Sequence, residues 1–128
     1  MYRSVVLCLL LCSSVLGHEM TPTYPVWQVS YSDGIKKTTM RLWNSREDVQ
    51  YYEIGVFDES WEPIPFVTSY KIMKVDYLSQ VKFDVYIREN NIKDARYICS
   101  LSKLRSDNVS KTLVATQICS KFKRALEL

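Results

Sequence analysis

Val81-Lys82-Phe83-Asp84-Val85-Tyr86-Ile87-Arg88 alternates apolar and polar side chains without a break. Successive side chains of a strand point to opposite faces, so Val81, Phe83, Val85 and Ile87 line one face and Lys82, Asp84, Tyr86 and Arg88 the other. Such a stretch is a strand of a sheet with one buried and one wet face. The same period runs through the neighbouring sequence, and no segment carries a helical stripe for more than a few residues. The class is therefore all-β.

Working outward, Glu89 to Asp94 is a polar connection, Ala95 to Leu101 the next strand, and Thr112 to Phe122 the last. Upstream, Val67 to Val75 is a less regular strand. Asp58-Glu59-Ser60-Trp61-Glu62-Pro63-Ile64-Pro65 is an exposed loop or edge, because each proline lacks an amide donor and biases its predecessor to extended geometry. Val49 to Phe57 is a central strand with Tyr52, Ile54 and Val56 on one face. Asn44 to Asp48 is a polar turn. Thr38 to Trp43 is a strand with Met40 and Leu42 opposite Arg41 and Trp43. Ser32-Asp33-Gly34 is a tight turn, and Val26 to Tyr31 is the first strand. About seven strands at roughly 10-residue spacing predict an antiparallel β-sandwich.

The chain has 128 residues, enough for one core. Met1-Tyr2-Arg3 followed by Val5 to Cys12 is a basic n-region and an apolar h-region, and Val15 and Gly17 are compact side chains at a cleavage site. Residues 1–17 are expected to be a secretory signal, with 18–128 as one domain; a retained signal anchor is the alternative. The apolar run is about half of the ~20 residues that span a bilayer. Without the leader, two cysteines remain, Cys99 and Cys119, which in an exported protein predict one disulfide. Closing a loop of about 20 residues is worth ~3 kcal/mol on the chain-entropy estimate. Two separate thiols are the alternative.

Composition excludes several functions. The formal charge of +3 is too small for a nucleic-acid binder. His18 is the single histidine, and it is expected in a tail at the new N-terminus. No zinc spacing, CxxC pair or Gly-rich phosphate loop is present, so no metal, no cofactor and no catalytic residue is expected. Asp58, Glu59 and Glu62 are the carboxylates from which a hydrolase would have to be built; a solvated acidic turn is the plainer reading. Tyr51, Trp61, Tyr70 and Tyr86 offer ring area for a sugar or peptide, against a reading as half-buried sheet residues. Among them Trp61 stands out for its place in a Pro-flanked acidic loop. Asn108-Val109-Ser110 is a glycosylation sequon.

Ser32-Asp33-Gly34 before Thr39-Met40-Arg41-Leu42-Trp43-Asn44 is an acidic-Gly turn before a strand ending in Asn. Tyr51 to Phe57 is then a long strand before the acidic turn Asp58-Glu59, and Gln80 to Ile87 and Arg96-Tyr97-Ile98-Cys99 follow in order. In this order and spacing the stretch from about Val29 to Lys103 resembles the N-terminal immunoglobulin-like domain of the periplasmic chaperones of the chaperone–usher pilus pathway. The resemblance implies a protein that donates an exposed strand to a subunit lacking its own last strand, that is, strand addition at a sheet edge. The donor here would be the last strand, with Val114, Thr116 and Ile118 on one face; an ordinary closing strand is the alternative. The family anchors a terminal carboxylate with an Arg in the first strand and a Lys in the last. In this sequence no arginine lies between Trp27 and Tyr31, Ser120 falls where the lysine is expected, and Lys121 points to the other face. About 111 residues hold one such domain and not the second.

The expected protein is thus a non-enzymatic, periplasmic or secreted immunoglobulin-like module. It contacts a protein partner, a pilin-like or assembly subunit, through an edge strand or loop at Val114, Thr116, Ile118, Lys121 and Trp61. A structural component of an extracellular or virion assembly is the alternative.

Overall fold

The computed structural model describes residues 17–103 and 115–123. The expected signal, the Asn108 sequon and Val114 lie outside them. The described strands are β1 (His18–Thr21), β2 (Gln28–Val29), β3 (Ile35–Asn44), β4 (Tyr51–Phe57), β5 (Ile72–Lys74), β6 (Ser79–Arg88), β7 (Tyr97–Lys103) and β8 (Gln117–Lys121). A 3-10 turn, Glu89–Asn91, follows β6. Every strand pairing is antiparallel. In one sheet β3 pairs with β6 on one side and with β1 and β2 on the other; the second sheet runs β5-β4-β7-β8. Taken as one interrupted edge, β1 and β2 leave the seven strands the spacing predicts.

The alternation sets the layers. Met40 and Leu42 of β3 and Phe83, Val85 and Ile87 of β6 meet Tyr52, Ile54 and Val56 of β4 and Ile98 of β7 in one buried cluster between the sheets. Arg41, Lys82 and Arg88 face water. The tight turn before β3 closes with Ile35 N donating to Ser32 O at 3.2 Å, and Gly34 supplies its positive φ of 76°.

Asn44 ends β3 at the centre of a buried polar joint. Its Nδ2 donates to Val49 O and Val75 O at 2.8 and 2.9 Å, and its Oδ1 accepts from Tyr52 Oη at 2.6 Å and Arg46 N at 2.8 Å. Every polar capacity of the amide is used, so a fully buried side chain carries no desolvation penalty left uncompensated.

Three expectations are corrected. Val26 to Tyr31 forms no full strand: only Gln28 and Val29 pair, with Lys37 and Lys36. Val29 and Tyr31 lie in water, because the interior opposite is already filled from β3 and β6. The N-terminal edge is instead made mainly by β1, four residues long and too short for a period to register. His18 is no tail residue; it is 2% exposed within β1. Of Val67 to Val75 only Ile72–Lys74 is a strand, while Val67 makes an isolated bridge to Tyr86.

Candidate partner-binding edge and aromatic corner

β8 is the last described strand of its sheet and pairs with β7 so that Cys119 stands opposite Cys99. The two form a disulfide, as the cysteine count predicts. Ile118 packs half-buried against the core and Ser120 is buried, so Gln117, Cys119 and Lys121 take the outer face. Lys121 N donates to Thr23 O at 3.0 Å, on the side away from β7. Main-chain groups of a strand alternate between its two edges, so those of Cys119 and Gln117 point to that same outer side. Among the described residues no strand pairs with them. Lys121 is exposed with its side chain turned from the core, as its odd position requires, and Ser120 occupies the inward place beside it.

Thr116, expected to face a partner, is tied into the sandwich. Its N donates to Ser102 Oγ at 2.7 Å and its carbonyl accepts from Ser102 N at 2.9 Å. Its hydroxyl lies 3.2 Å from His18 Nδ1 and 3.4 Å from Arg46 Nη1. His18 Nε2 lies 3.0 Å from Ser100 Oγ, and the ring sits 4.6 Å from that of Tyr52. Nε2–H can donate to Ser100 while Nδ1 accepts from Thr116, an arrangement that only the neutral imidazole satisfies. Burial holds the His18 pKa below its usual value. Arg46 grips Asp48 through two bonds, Nε to Oδ1 at 2.9 Å and Nη2 to Oδ2 at 2.7 Å. That hydrogen-bonded pairing pulls the Asp48 pKa down and the Arg46 pKa up, and burial pushes Tyr52 up to about 12. His18 thus ties β1 of one sheet to β7 and the start of β8 in the other.

The Trp61 loop is a second feature. Asp58 Oδ1 accepts from Ser60 N and Glu62 N at 2.8 and 2.9 Å, and Trp61 N donates to Asp58 O at 3.1 Å. The turn places Trp61 at φ 65°, a left-handed backbone that favours glycine. Its ring stacks on Tyr97 at 4.2 Å with planes 4° apart, and half of it remains in water. Phe57 packs at the edge, 6.1 Å away. Phe57 in turn covers Gly55, where an added Cβ would come within 2.7 Å of the Phe57 ring. Tyr97 is the register partner of Lys121. Two expected residues, Trp61 and Lys121, are therefore brought to one outer corner through Tyr97, a residue whose role no motif announced. Ile118 and Thr116 face inward at the other end of β8.

Asp58 and Glu59 line a cleft of about 590 Å³ with Trp27, Arg96 and Phe122. The carboxylate of Asp58 is engaged in holding its own turn. Among the described residues there is no group of three or more His, Cys, Asp or Glu arranged to hold a metal ion, and no helix long and apolar enough to cross a membrane.

No protein-family model matches the sequence, and no curated protein matches it. Among solved structures the fold is similar to that of the E. coli chaperone DraB. The TM-score is 0.60 and identity 15%, covering 84% of this chain and 53% of the other. It is similar also to a chain from the complex of the Salmonella enterica SafA pilin with the SafB chaperone. There the TM-score is 0.61 and identity 12%, covering 86% of this chain and 54% of that one. The chain spans about half the length of either. At such identities the likeness is one of fold, and the fold is an immunoglobulin-like β-sandwich.

Proposed function

We propose that the protein is an exported immunoglobulin-like binding module, periplasmic or secreted after loss of residues 1–17. It engages a pilin-like or assembly subunit by pairing main chain along the outer edge of β8. The observation that carries this reading is the outward set of main-chain groups at Gln117 and Cys119 on a strand locked to β7 by the Cys99–Cys119 bond. Strand addition needs such an edge, and a rigid one loses less entropy on binding. The known complex of a pilin with a chaperone of similar fold supports a protein as the partner. The bidentate Arg46–Asp48 pair, His18 and Ser102 hold Thr116 in place, so the start of β8 is positioned before a partner arrives. Lys121 and the half-exposed Trp61, joined through Tyr97, flank the far end of the edge, where aromatic and cationic side chains anchor interfaces well.

Affinity capture of the tagged protein from its native host tests the reading. Gln117→Pro removes an outward N–H that β7 does not use, and proline is tolerated on edge strands. Gln117→Ala keeps that N–H. The wild type and Gln117→Ala should bring down one stoichiometric protein, and Gln117→Pro, melting within a few degrees of them, should lose it. Retention of the partner by the folded Gln117→Pro variant overturns the edge-pairing mechanism.

A further inference from the structure

The opposite side of the sandwich carries an unfinished ladder. β6 has ten residues, paired along β3 on one edge. On its other edge Val67 N donates to Tyr86 O at 2.9 Å, Tyr86 N donates to Val67 O at 2.8 Å, and Thr68 Oγ1 donates to Asp84 O at 2.8 Å. After Thr68 the chain turns away and enters β5, which pairs with β4 in the other sheet. By the same alternation that directs the groups of Tyr86 outward, those of Lys82 and Gln80 point to this edge. Among the described residues nothing pairs with them.

Directly beside this open half lies a groove of about 680 Å³ between the two sheets, lined by Tyr51, Tyr70, Ile72, Val81, Phe83 and Tyr86. Tyr70 and Ile72 are 72% and 51% exposed. Three of the four rings singled out in the sequence converge here.

Charge selects the occupant. Lys82 stands opposite Arg41 on the outer face of the sheet. The outward direction of the Tyr86 main chain makes 41 and 82 a pair not hydrogen-bonded to each other, the kind in which side chains approach most closely. Two like charges so placed repel, and neither has an ion pair among the described residues. Of the nearby carboxylates Glu53 pairs with Lys103 at 3.0 Å and Asp76 lies 3.7 Å from Lys74; Asp84 accepts from the Thr39 hydroxyl and, with Glu19 opposite Trp43, shares the outer face with the two cations without an ion pair to either. A second copy of this edge would bring the same cations together, and lysine on an edge is a known guard against self-pairing.

We propose that the Ser79–Phe83 half of β6 is an acceptor edge for an extended segment of a partner protein in which acidic and apolar residues alternate. A strand added there continues the Val67 ladder. Its apolar side chains enter the groove over Val81 and Phe83, and its carboxylates meet Lys82, with Arg41 one strand beyond.

The probe is a fluorescein-labelled six-residue peptide alternating Glu and Val, followed by fluorescence polarisation on the intact protein. It should bind saturably, at least tenfold tighter than the Lys–Val counterpart, and slow amide exchange at Gln80 and Lys82. Lys82→Glu should weaken it at least tenfold, and Ile72→Asp, at an exposed position that leaves the core intact, should abolish binding. Gln117→Pro should leave it unchanged, which separates this edge from β8. Absence of saturable binding, equal binding of an acidic peptide with N-methylated amides, or binding without slowed exchange at Gln80 and Lys82 overturns the proposal.

Discussion

The imidazole of His18 sits between Ser100 and Thr116 with its ring against Tyr52. A proton added there must be carried by a buried ring that already faces the Arg46 guanidinium, so burial first, and Arg46 after it, keep the pKa below 6.5. The unfolded chain takes up this proton near pH 6.5 while the folded chain resists it. Stability should therefore fall as pH drops below about 6.5 and level off once the folded form also titrates. His18→Gln, neutral throughout, should lose that part of the dependence. Urea midpoints between about pH 7 and pH 5 that fall equally in both proteins would rule the assignment out. Trp61 makes the second case. Its left-handed backbone costs about 1 kcal/mol in any residue with a Cβ, while stacking on Tyr97 returns a similar amount. Trp61→Ala keeps the strain and loses the stack; Trp61→Gly loses both. The glycine variant should thus be the more stable of the two by about 1 kcal/mol in denaturant unfolding. An alanine variant as stable as the glycine one would mean that the turn relaxes. Neither role was legible beforehand. A lone histidine beside a signal-like leader carries no periodic information, and a tryptophan at a glycine position contradicts the propensity that would locate the turn.

At the scale of elements, β6 and β4 were legible because alternation over seven to ten residues leaves one register in which every apolar side chain is buried. β8 was legible as a strand and as the partner of β7 through its cysteine. The Cys99–Cys119 bond closes a loop with a sequence separation of 20, which on the chain-entropy estimate is worth about 3 kcal/mol. The Cys99→Ser/Cys119→Ser pair should lower unfolding free energy by about that amount. The untreated chain of residues 18–128 should show no alkylatable thiol by mass; two free thiols would remove the bond from the account. The edge elements were not legible. β1 and β5 have four and three residues, and the Val26–Tyr31 run looked like a strand because the residue types favour one. Only Gln28 and Val29 pair, since strand formation at an edge depends on what the neighbouring sheet leaves unfilled.

For the whole molecule, the two proposed edges lie on opposite sides of one sandwich. β8 adjoins the side closed by β1, where His18 reaches Ser100 and Thr116. The open half of β6 adjoins β5, where a groove is left between the sheets. Gln117→Pro and Lys82→Glu should accordingly act each on its own partner. Residue order alone was enough for the all-β class, the faces of the long strands, the Cys99–Cys119 disulfide and the likeness in fold to pilus chaperones, because period, cysteine count and turn residues are local properties. It took the packed sandwich to make His18 a buried link between sheets, to join Trp61 and Lys121 through Tyr97, and to bring Tyr51, Tyr70 and Tyr86 to one groove. Each of these depends on which strands lie side by side, and that is set by the packing of both sheets at once.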